Sequence, residues 1–230
     1  MGVGSVAAMG TIESVNIGTA TPSEHTSAEG TGIGKLPVDG PVQVRAPGPA
    51  GTGGSGFAGD DVCDLRFHGG DDKAAYAYAA EDLRFWEGEL GRPLGPGSFG
   101  ENLTTSGIDL NGARIGQRWR VGRELVLEVS QPRTPCRTFA GTMDVPRWMR
   151  VFITARRPGT YLRVVQPGPV APGDSVEVVH TPAHDVTVAL AFRALTGERA
   201  LLPQLLPAGA ALSDELRVRV EAAMSANPAR

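Results

Sequence analysis

Hydrophobic and polar positions along the chain predict several short strands. Residues 11–18 place Val15 and Ile17 two positions apart, a spacing typical of a strand, and a second strand is predicted around residues 42–45. Four further apolar runs, separated by glycine-containing turns, lie at residues 114–121, 124–129, 160–165 and 175–179. This pattern is typical of a β-barrel or a compact sheet.

A spacing of three and four residues predicts the first long helix, over residues 73–90. Its apolar face would carry Tyr76, Ala79, Leu83, Trp86 and Leu90. An aspartate of the pair at 71–72 would cap the start of this helix, and Gly91 would end it. The HGG segment at 68–70 would then lie at the helix N-terminus, where free backbone N–H groups favour an anion.

Helical patterns also occur later in the chain. Residues 147–155 predict a short helix, and the segment after His180 predicts three more, at residues 186–195, 198–206 and 214–224. Ser213 is a good N-cap for the last of these. The predicted fold is mostly β with α. It consists of an N-terminal strand and flexible loop that belong to the barrel, the barrel itself and a three-helix segment, at residues 1–30, 31–180 and 181–230.

Composition supports a globular protein with many turns. The 230 residues are 41% hydrophobic with a net charge of −3, and 31 glycines and 18 prolines make a helical bundle a poor prediction. No apolar run is long enough for a membrane span, and the start has no basic region followed by a long apolar one, as a signal peptide would. We therefore expect a cytoplasmic protein that does not contact membranes. The eight residues before Met9 are interpreted as an extension.

Positive charge is concentrated in one part of the chain. Residues 114–163 contain eleven arginines and three acidic residues, which gives this part a net charge of +8. One interpretation is an arginine-rich, solvated surface, and the other is a face that binds phosphate or carboxylate groups. A nucleic-acid partner is not expected, because the whole chain is acidic and no basic stripe carries interleaved aromatic residues.

Cys136 is the residue best placed by sequence to carry chemistry. It lies in the segment SQPRTPCRTF between Arg133 and Arg137, whose positive charge would favour the thiolate. A thiolate can act as a nucleophile or as a ligand for a soft metal. The alternative is a small buried hydrophobic residue. Cys63 lies 73 residues earlier, in a predicted strand, and is interpreted as structural.

Two glycine-containing segments are candidates for ligand contact. Gly69 and Gly70 after His68 would let the backbone approach a ligand closely, although the histidine could equally serve in capping or in the core. Asp64 could orient His68. The second segment, GSFGEN at 97–102, is a candidate ligand loop, and its candidate binding residues are Gly100, Glu101 and Asn102.

Taken together and in order, these segments resemble the MOSC domain family, and more narrowly its YiiM-like branch. The resemblance covers residues 31–224, and its most specific parts are HGG-DKA (68–74), FGENL (99–103) and QPR-PC (131–136). It implies a MOSC-type β-barrel followed by a three-helix segment. It also implies a molybdenum cofactor with Cys136 as the protein ligand of the metal, and the reduction of N-hydroxylated bases and amidoximes.

The leading hypothesis is a molybdenum-dependent oxidoreductase. Arg133, Arg137 and Lys73 would hold the anionic cofactor, and His68 would assist proton delivery. A separate reductase must supply electrons, because two cysteines cannot hold a four-cysteine cluster. A homodimer is left open.

Two rival hypotheses also require a reactive Cys136. The first is a carrier of persulfide sulfur or of the pterin, without turnover of its own. The second is a hydrolase in which Cys136 is the nucleophile, His68 the base and Asp64 the group that orients it.

Overall fold

Ten strands are present in residues 9–225, which a computed structural model of the chain describes. They are β1 (Met9–Gly18), β2 (Lys35–Pro37), β3 (Val42–Val44), β4 (Ala75–Ala79), β5 (Leu103–Ser106), β6 (Arg118–Val121), β7 (Leu125–Pro132), β8 (Thr160–Gln166), β9 (Gly168–Val170) and β10 (Ser175–His180). The strands predicted from the alternating pattern are all among them. The interpreted extension before Met9 lies outside the described residues.

Seven of these strands close into a barrel in the order β1, β10, β6, β7, β8, β4 and β5, with β5 returning to β1. Neighbours are antiparallel except β4 and β5, which are parallel. Strand β2 extends the sheet beside β1, and β3 pairs with β9 in a separate ribbon. The predicted β-barrel with accompanying helices is confirmed.

The helix predicted over residues 73–90 is wrong in its first half. Residues 71–73 form one 3₁₀ turn, β4 follows, and α1 spans only Ala80–Leu90. All five side chains of β4 are buried, so the strand lacks the alternation that would mark it in the sequence. Gly91 ends α1 in the left-handed conformation, as predicted, but the HGG segment does not lie at the N-terminus of a long helix.

An aromatic cluster beside the barrel holds the loop that follows β7. Helices α2 (Arg137–Met143) and α3 (Trp148–Ala155) pack there against α1. The predicted helix at 147–155 is confirmed as α3, whereas α2 was missed. The rings at the centre of the cluster are fully buried, and they belong to Trp86, Phe99, Phe139, Trp148 and Phe152.

The C-terminal segment contains three helices, as predicted. They are α4 (Val188–Thr196), a 3₁₀ segment (Arg199–Ala211) and α5 (Asp214–Ser225). The middle segment contains Pro203 and Pro207, which lack the N–H that a regular α-helix needs, and its backbone is kinked at Gly209. Ser213 Oγ accepts the backbone N–H of Leu216, which confirms the predicted cap of α5. No helix within residues 9–225 is long and apolar enough to cross a membrane.

Candidate functional site

The loop between β7 and α2 presents Cys136 at the start of a helix. Pro132 ends β7, and Cys136 in extended conformation is the N-cap residue of α2. Its Sγ accepts the backbone N–H of Phe139 at 3.4 Å. Because the Phe139 ring is buried in the aromatic cluster, the helix start is fixed, and the thiol is fixed with it.

The thiol of Cys136 is more acidic than an ordinary cysteine. Burial raises its pKa, but the His68 imidazole, the Arg133 charge and the Phe139 backbone N–H together outweigh this effect. The resulting pKa of Cys136 is about 6. The side chain is therefore a thiolate at neutral pH, which is the form that binds metals and acts as a nucleophile.

Arg133 places a buried positive charge beside this thiol. Only 5% of the residue is exposed, and its guanidinium lies 3.7 Å from the Phe139 ring centroid and 5.3 Å from that of Tyr76. One N–H donates to the Phe99 carbonyl oxygen at 2.6 Å. It forms no ion pair with any carboxylate of residues 9–225. A buried cation without an acidic partner is suited to an anionic ligand.

The HGG segment brings His68 to Cys136, although 68 positions separate them in the chain. Gly69 has φ +75°, and a Cβ there would lie 2.6 Å from the Gly53 carbonyl oxygen. A Cβ on Gly70 would meet the Cα of Ala50 at 2.7 Å. The two glycines therefore allow close packing on the glycine-rich connection at 46–59, which holds His68 in place.

Asp64 does not orient His68 through a hydrogen bond. Both its carboxylate oxygens accept N–H groups of Arg66 at 2.8 Å. The Arg66 guanidinium accordingly lowers the pKa of the Asp64 carboxyl. The backbone N–H of His68 donates to the Asp64 carbonyl oxygen at 3.0 Å. Asp64 therefore contributes to the conformation of the loop and does not orient the imidazole ring.

Lys73 reaches the same region from the 3₁₀ turn. Its ammonium donates to the Phe67 carbonyl oxygen at 2.9 Å and to the Glu215 carboxylate at 3.0 Å. Gln131 Nε2 donates to the same Glu215 oxygen at 3.2 Å. The cation is thus paired with an acid from α5.

The predicted ligand loop at 97–102 has a mainly structural set of contacts. Glu101 is fully buried, and its oxygens accept the backbone N–H groups of Gly97 at 2.6 Å and Phe99 at 3.0 Å and the Thr104 hydroxyl at 3.0 Å. Burial raises the pKa of the Glu101 carboxyl. The structure does not bring Glu101 to a cavity, whereas Gly100 and Asn102 line one.

Two adjoining cavities meet at Cys136. The inner one has a volume of about 120 Å³ and is lined by Gly100, Asn102, Arg133, Tyr76 and both cysteines, among others. The outer one has a volume of about 640 Å³, and its walls include Phe67, Gln131, Arg137, Glu215 and Arg219. Eight residues line both cavities, namely Thr26, Asp64, His68, Gly69, Lys73, Cys136, Thr138 and Tyr161. Gly70 lines neither.

The arginine-rich stretch does not form one anion-binding face. Six of its eleven arginines form ion pairs with acidic side chains, namely Arg114, Arg118, Arg120, Arg156, Arg157 and Arg163. Within the described residues, only Arg133 and Arg137 of this stretch line the two cavities. Arg137 is exposed at the rim of the outer cavity. The interpretation of an arginine-rich surface therefore holds for most of the stretch.

Cys63 lies in an irregular segment of the cavity wall, not in the strand that was predicted for it. Burial and then Asp61 raise the pKa of its thiol, in contrast to Cys136. Within residues 9–225, no three His, Cys, Asp or Glu side chains are grouped so as to hold a metal ion.

Sequence reasoning did not single out several residues that line the cavities, among them Tyr161, Gln131 and Glu215. Gln131 is the first residue of the QPR-PC segment that contains Cys136 and could have been found there. Tyr161 lies near the start of β8 and pairs with Gln131 on the neighbouring strand β7. Glu215 carries no local signal, because only the docking of α5 brings it to the site.

The barrel and the cysteine loop define the class of protein to which this chain belongs. A family model described as the MOSC domain matches residues 64–177, which contain Cys136, His68 and Lys73. The chain belongs to the MOSC domain family.

Individual relatives support the same assignment. Protein YflK of Bacillus subtilis is 35% identical over 78% of this chain and 78% of its own length. The crystal structure of YiiM from Geobacillus stearothermophilus has a TM-score of 0.74 at 28% identity, over 94% of this chain and 99% of that one. A Gibberella moniliformis protein named reductase is 31% identical over 71% of this chain, which corresponds to only 27% of that protein.

Proposed function

We propose that this protein binds the molybdenum cofactor through Cys136 and reduces N-hydroxylated compounds with electrons from a separate reductase. The observation that carries the proposal is the acidic Cys136 thiol at the meeting point of two cavities, beside the buried Arg133, which has no acidic partner within residues 9–225. Membership of the MOSC domain family supports it.

The donor set of the site suits such a cofactor. A thiolate is a soft ligand of the kind that heavier redox metals accept. Arg133 and Lys73 supply cationic N–H donors for an anionic phosphate group. The buried Gln131 Oε1 has no hydrogen-bond partner among the described residues and could accept one from a pterin N–H. When bound, the cofactor would supply two-electron redox chemistry at its metal.

The reaction consumes two electrons and two protons. The N–O bond of an amidoxime or N-hydroxylated base breaks, the nitrogen takes up one proton, and the oxygen takes up the other and leaves as water. His68, which contacts Cys136, would deliver a proton to the departing oxygen. The Arg133 charge would stabilise the anionic ligand throughout the cycle.

Electrons must come from another protein or domain. The two cysteines of this chain cannot supply the four thiolates of an iron–sulfur cluster. The Gibberella protein named reductase is much longer than the region that matches this chain.

Turnover with a chemical electron donor tests the proposal. Wild-type protein, Cys136→Ala and the control Cys63→Ala are purified from a host that makes the cofactor, and amidine formation from an amidoxime is measured with reduced methyl viologen. We expect turnover in wild type and Cys63→Ala, and less than 1% of that rate in Cys136→Ala. Equal rates in all three would overturn the proposal. Bound cofactor without turnover would instead favour the carrier hypothesis.

A further inference from the structure

The carboxylate of Glu215 occupies a position at the site that an anionic ligand would also take. It accepts hydrogen bonds from the Lys73 ammonium at 3.0 Å and from Gln131 Nε2 at 3.2 Å. Both donors lie on the wall of the outer cavity, beside Cys136. Gln131 lies on β7 and Lys73 in the 3₁₀ turn before β4, whereas Glu215 lies on α5.

We propose that Glu215 is a built-in counter-ion that competes with anionic ligands for Lys73, so that α5 sets the anion affinity of the site. The inference rests on the proposed function only in taking a phosphate-bearing ligand as the natural anion.

The two cations that line the cavities, Arg133 and Lys73, differ in whether a carboxylate is paired with them. Arg133 is buried without an acidic partner among residues 9–225, whereas Lys73 is already paired with Glu215. An anion that passes from the outer cavity into the inner one meets Arg133 without competition, but it must compete with Glu215 for Lys73. The Glu215 side chain is 33% exposed, so the entering anion can approach it through solvent.

Arg219 is a second cationic partner for the Glu215 carboxylate. Arg219, one turn later on α5, lies 3.6 Å from the other carboxylate oxygen. Burial raises the pKa of the Glu215 carboxyl, but the Lys73 ammonium and the Gln131 and Arg219 side chains outweigh this, so the pKa is lowered. The Glu215 carboxylate therefore stays ionised at neutral pH, and as a negative charge it competes with an anionic ligand for Lys73.

The position of α5 does not depend on this ion pair. Leu216 and Val220 are buried against the rest of the C-terminal segment. The Asp214 backbone N–H donates to the Asp72 carboxylate at 2.8 Å, and Arg163 Nε donates to the same carboxylate at 2.6 Å. Loss of the Glu215 charge should therefore leave α5 docked.

Pyrophosphate binding to apoprotein tests the inference without any metal. Wild type, Glu215→Gln and Glu221→Gln are prepared in a host that lacks the cofactor, and pyrophosphate affinity is measured by calorimetry at low salt. Glu221→Gln is the matched control, since it removes the same charge from an exposed position on the same helix. We expect about tenfold tighter binding in Glu215→Gln and less than a twofold change in Glu221→Gln.

The same Glu215 change in a protein that lacks Lys73 distinguishes competition for Lys73 from a general effect of removing a negative charge. In Lys73→Met protein, the further change Glu215→Gln should alter pyrophosphate affinity by less than twofold, because the contested cation is gone. Unchanged or weaker binding in Glu215→Gln would overturn the inference, as would a tenfold gain that persists without Lys73 or the absence of binding in every variant. Because no step uses molybdenum, these outcomes are independent of whether the proposed reaction occurs.

Discussion

The Arg133 guanidinium stacks on the Phe139 ring, with its Cζ 3.7 Å from the ring centroid, and Cys136 lies between the two residues in the chain. The contact joins the end of β7 to the buried face of α2. It fixes a positive charge beside the thiol without an acidic side chain to neutralise it. The acidity of Cys136 therefore depends on a stacking contact as well as on charge.

Arg133→Lys should raise the pKa of Cys136, although the charge is conserved. Lysine cannot stack its ammonium on the ring as a planar guanidinium does, so the cation would move away from the thiol. We expect the midpoint of Cys136 alkylation by iodoacetamide to shift upward by about one pH unit. The exposed Arg137→Lys is the control and should leave the midpoint in place. An unchanged midpoint in Arg133→Lys would show that the stacking has no such effect.

The two cysteines should react at different pH values. The pKa of Cys136 is about 6, and that of Cys63 is raised above its ordinary value by burial. Because the thiolate is the reactive form, Cys136 should be alkylated rapidly from about pH 6 upward and Cys63 only under clearly alkaline conditions. Mass spectrometry of the two peptides after brief iodoacetamide treatment measures this. Similar pH profiles for both peptides would contradict the assignment.

Glu101→Ala should destabilise the fold. The change leaves the Gly97 and Phe99 N–H groups and the Thr104 hydroxyl without a carboxylate acceptor in a buried loop. We expect a loss of about 2–4 kcal/mol in the free energy of unfolding by urea. Glu89→Ala, at an exposed position of α1, should change it by less than about 0.5 kcal/mol. A stable Glu101→Ala protein that has lost its cofactor would instead restore the ligand role predicted from sequence.

Gly69→Ala should disturb the site more than Gly59→Ala. Both glycines have positive φ, at +75° and +81°, but only a Cβ at position 69 would meet another atom, the Gly53 carbonyl oxygen at 2.6 Å. We expect about 1 kcal/mol of destabilisation from strain alone in Gly59→Ala and about 1–3 kcal/mol more in Gly69→Ala. Only Gly69→Ala should also raise the pKa of Cys136, by displacing His68. Equal effects on stability and alkylation would mean that close packing is not what Gly69 provides.

Much of the barrel could be predicted from its alternating strands, but β4 could not. Its sequence AYAYA is followed by AEDLRFW, so an apolar residue recurs every three or four positions across the junction. Alanine favours helix, and a strand buried on both faces loses the period of two. Pairing with β5 and β8 decides the structure, and these partners come from distant parts of the chain.

Some features of the candidate site could likewise be predicted from the sequence, and others could not. Arg133 and Cys136 lie three residues apart, so local sequence was enough to link them. The roles of Glu101 and Asp64 depend on bonds to backbone N–H groups and to Arg66, which residue type alone does not reveal. Glu215 is brought to Lys73 by the packing of a helix 142 positions later, a relationship that no short motif could carry.

The molybdenum and pterin content per chain tests the central claim most directly. Wild type, Cys136→Ala and Cys63→Ala, purified from a host that makes the cofactor, are analysed by metal mass spectrometry and by fluorescence of the oxidised pterin. We predict nearly one molybdenum and one pterin per chain in wild type and Cys63→Ala, with the metal lost from Cys136→Ala. Absence of molybdenum from wild type, or equal molybdenum in Cys136→Ala, would contradict the assignment of Cys136 as its ligand.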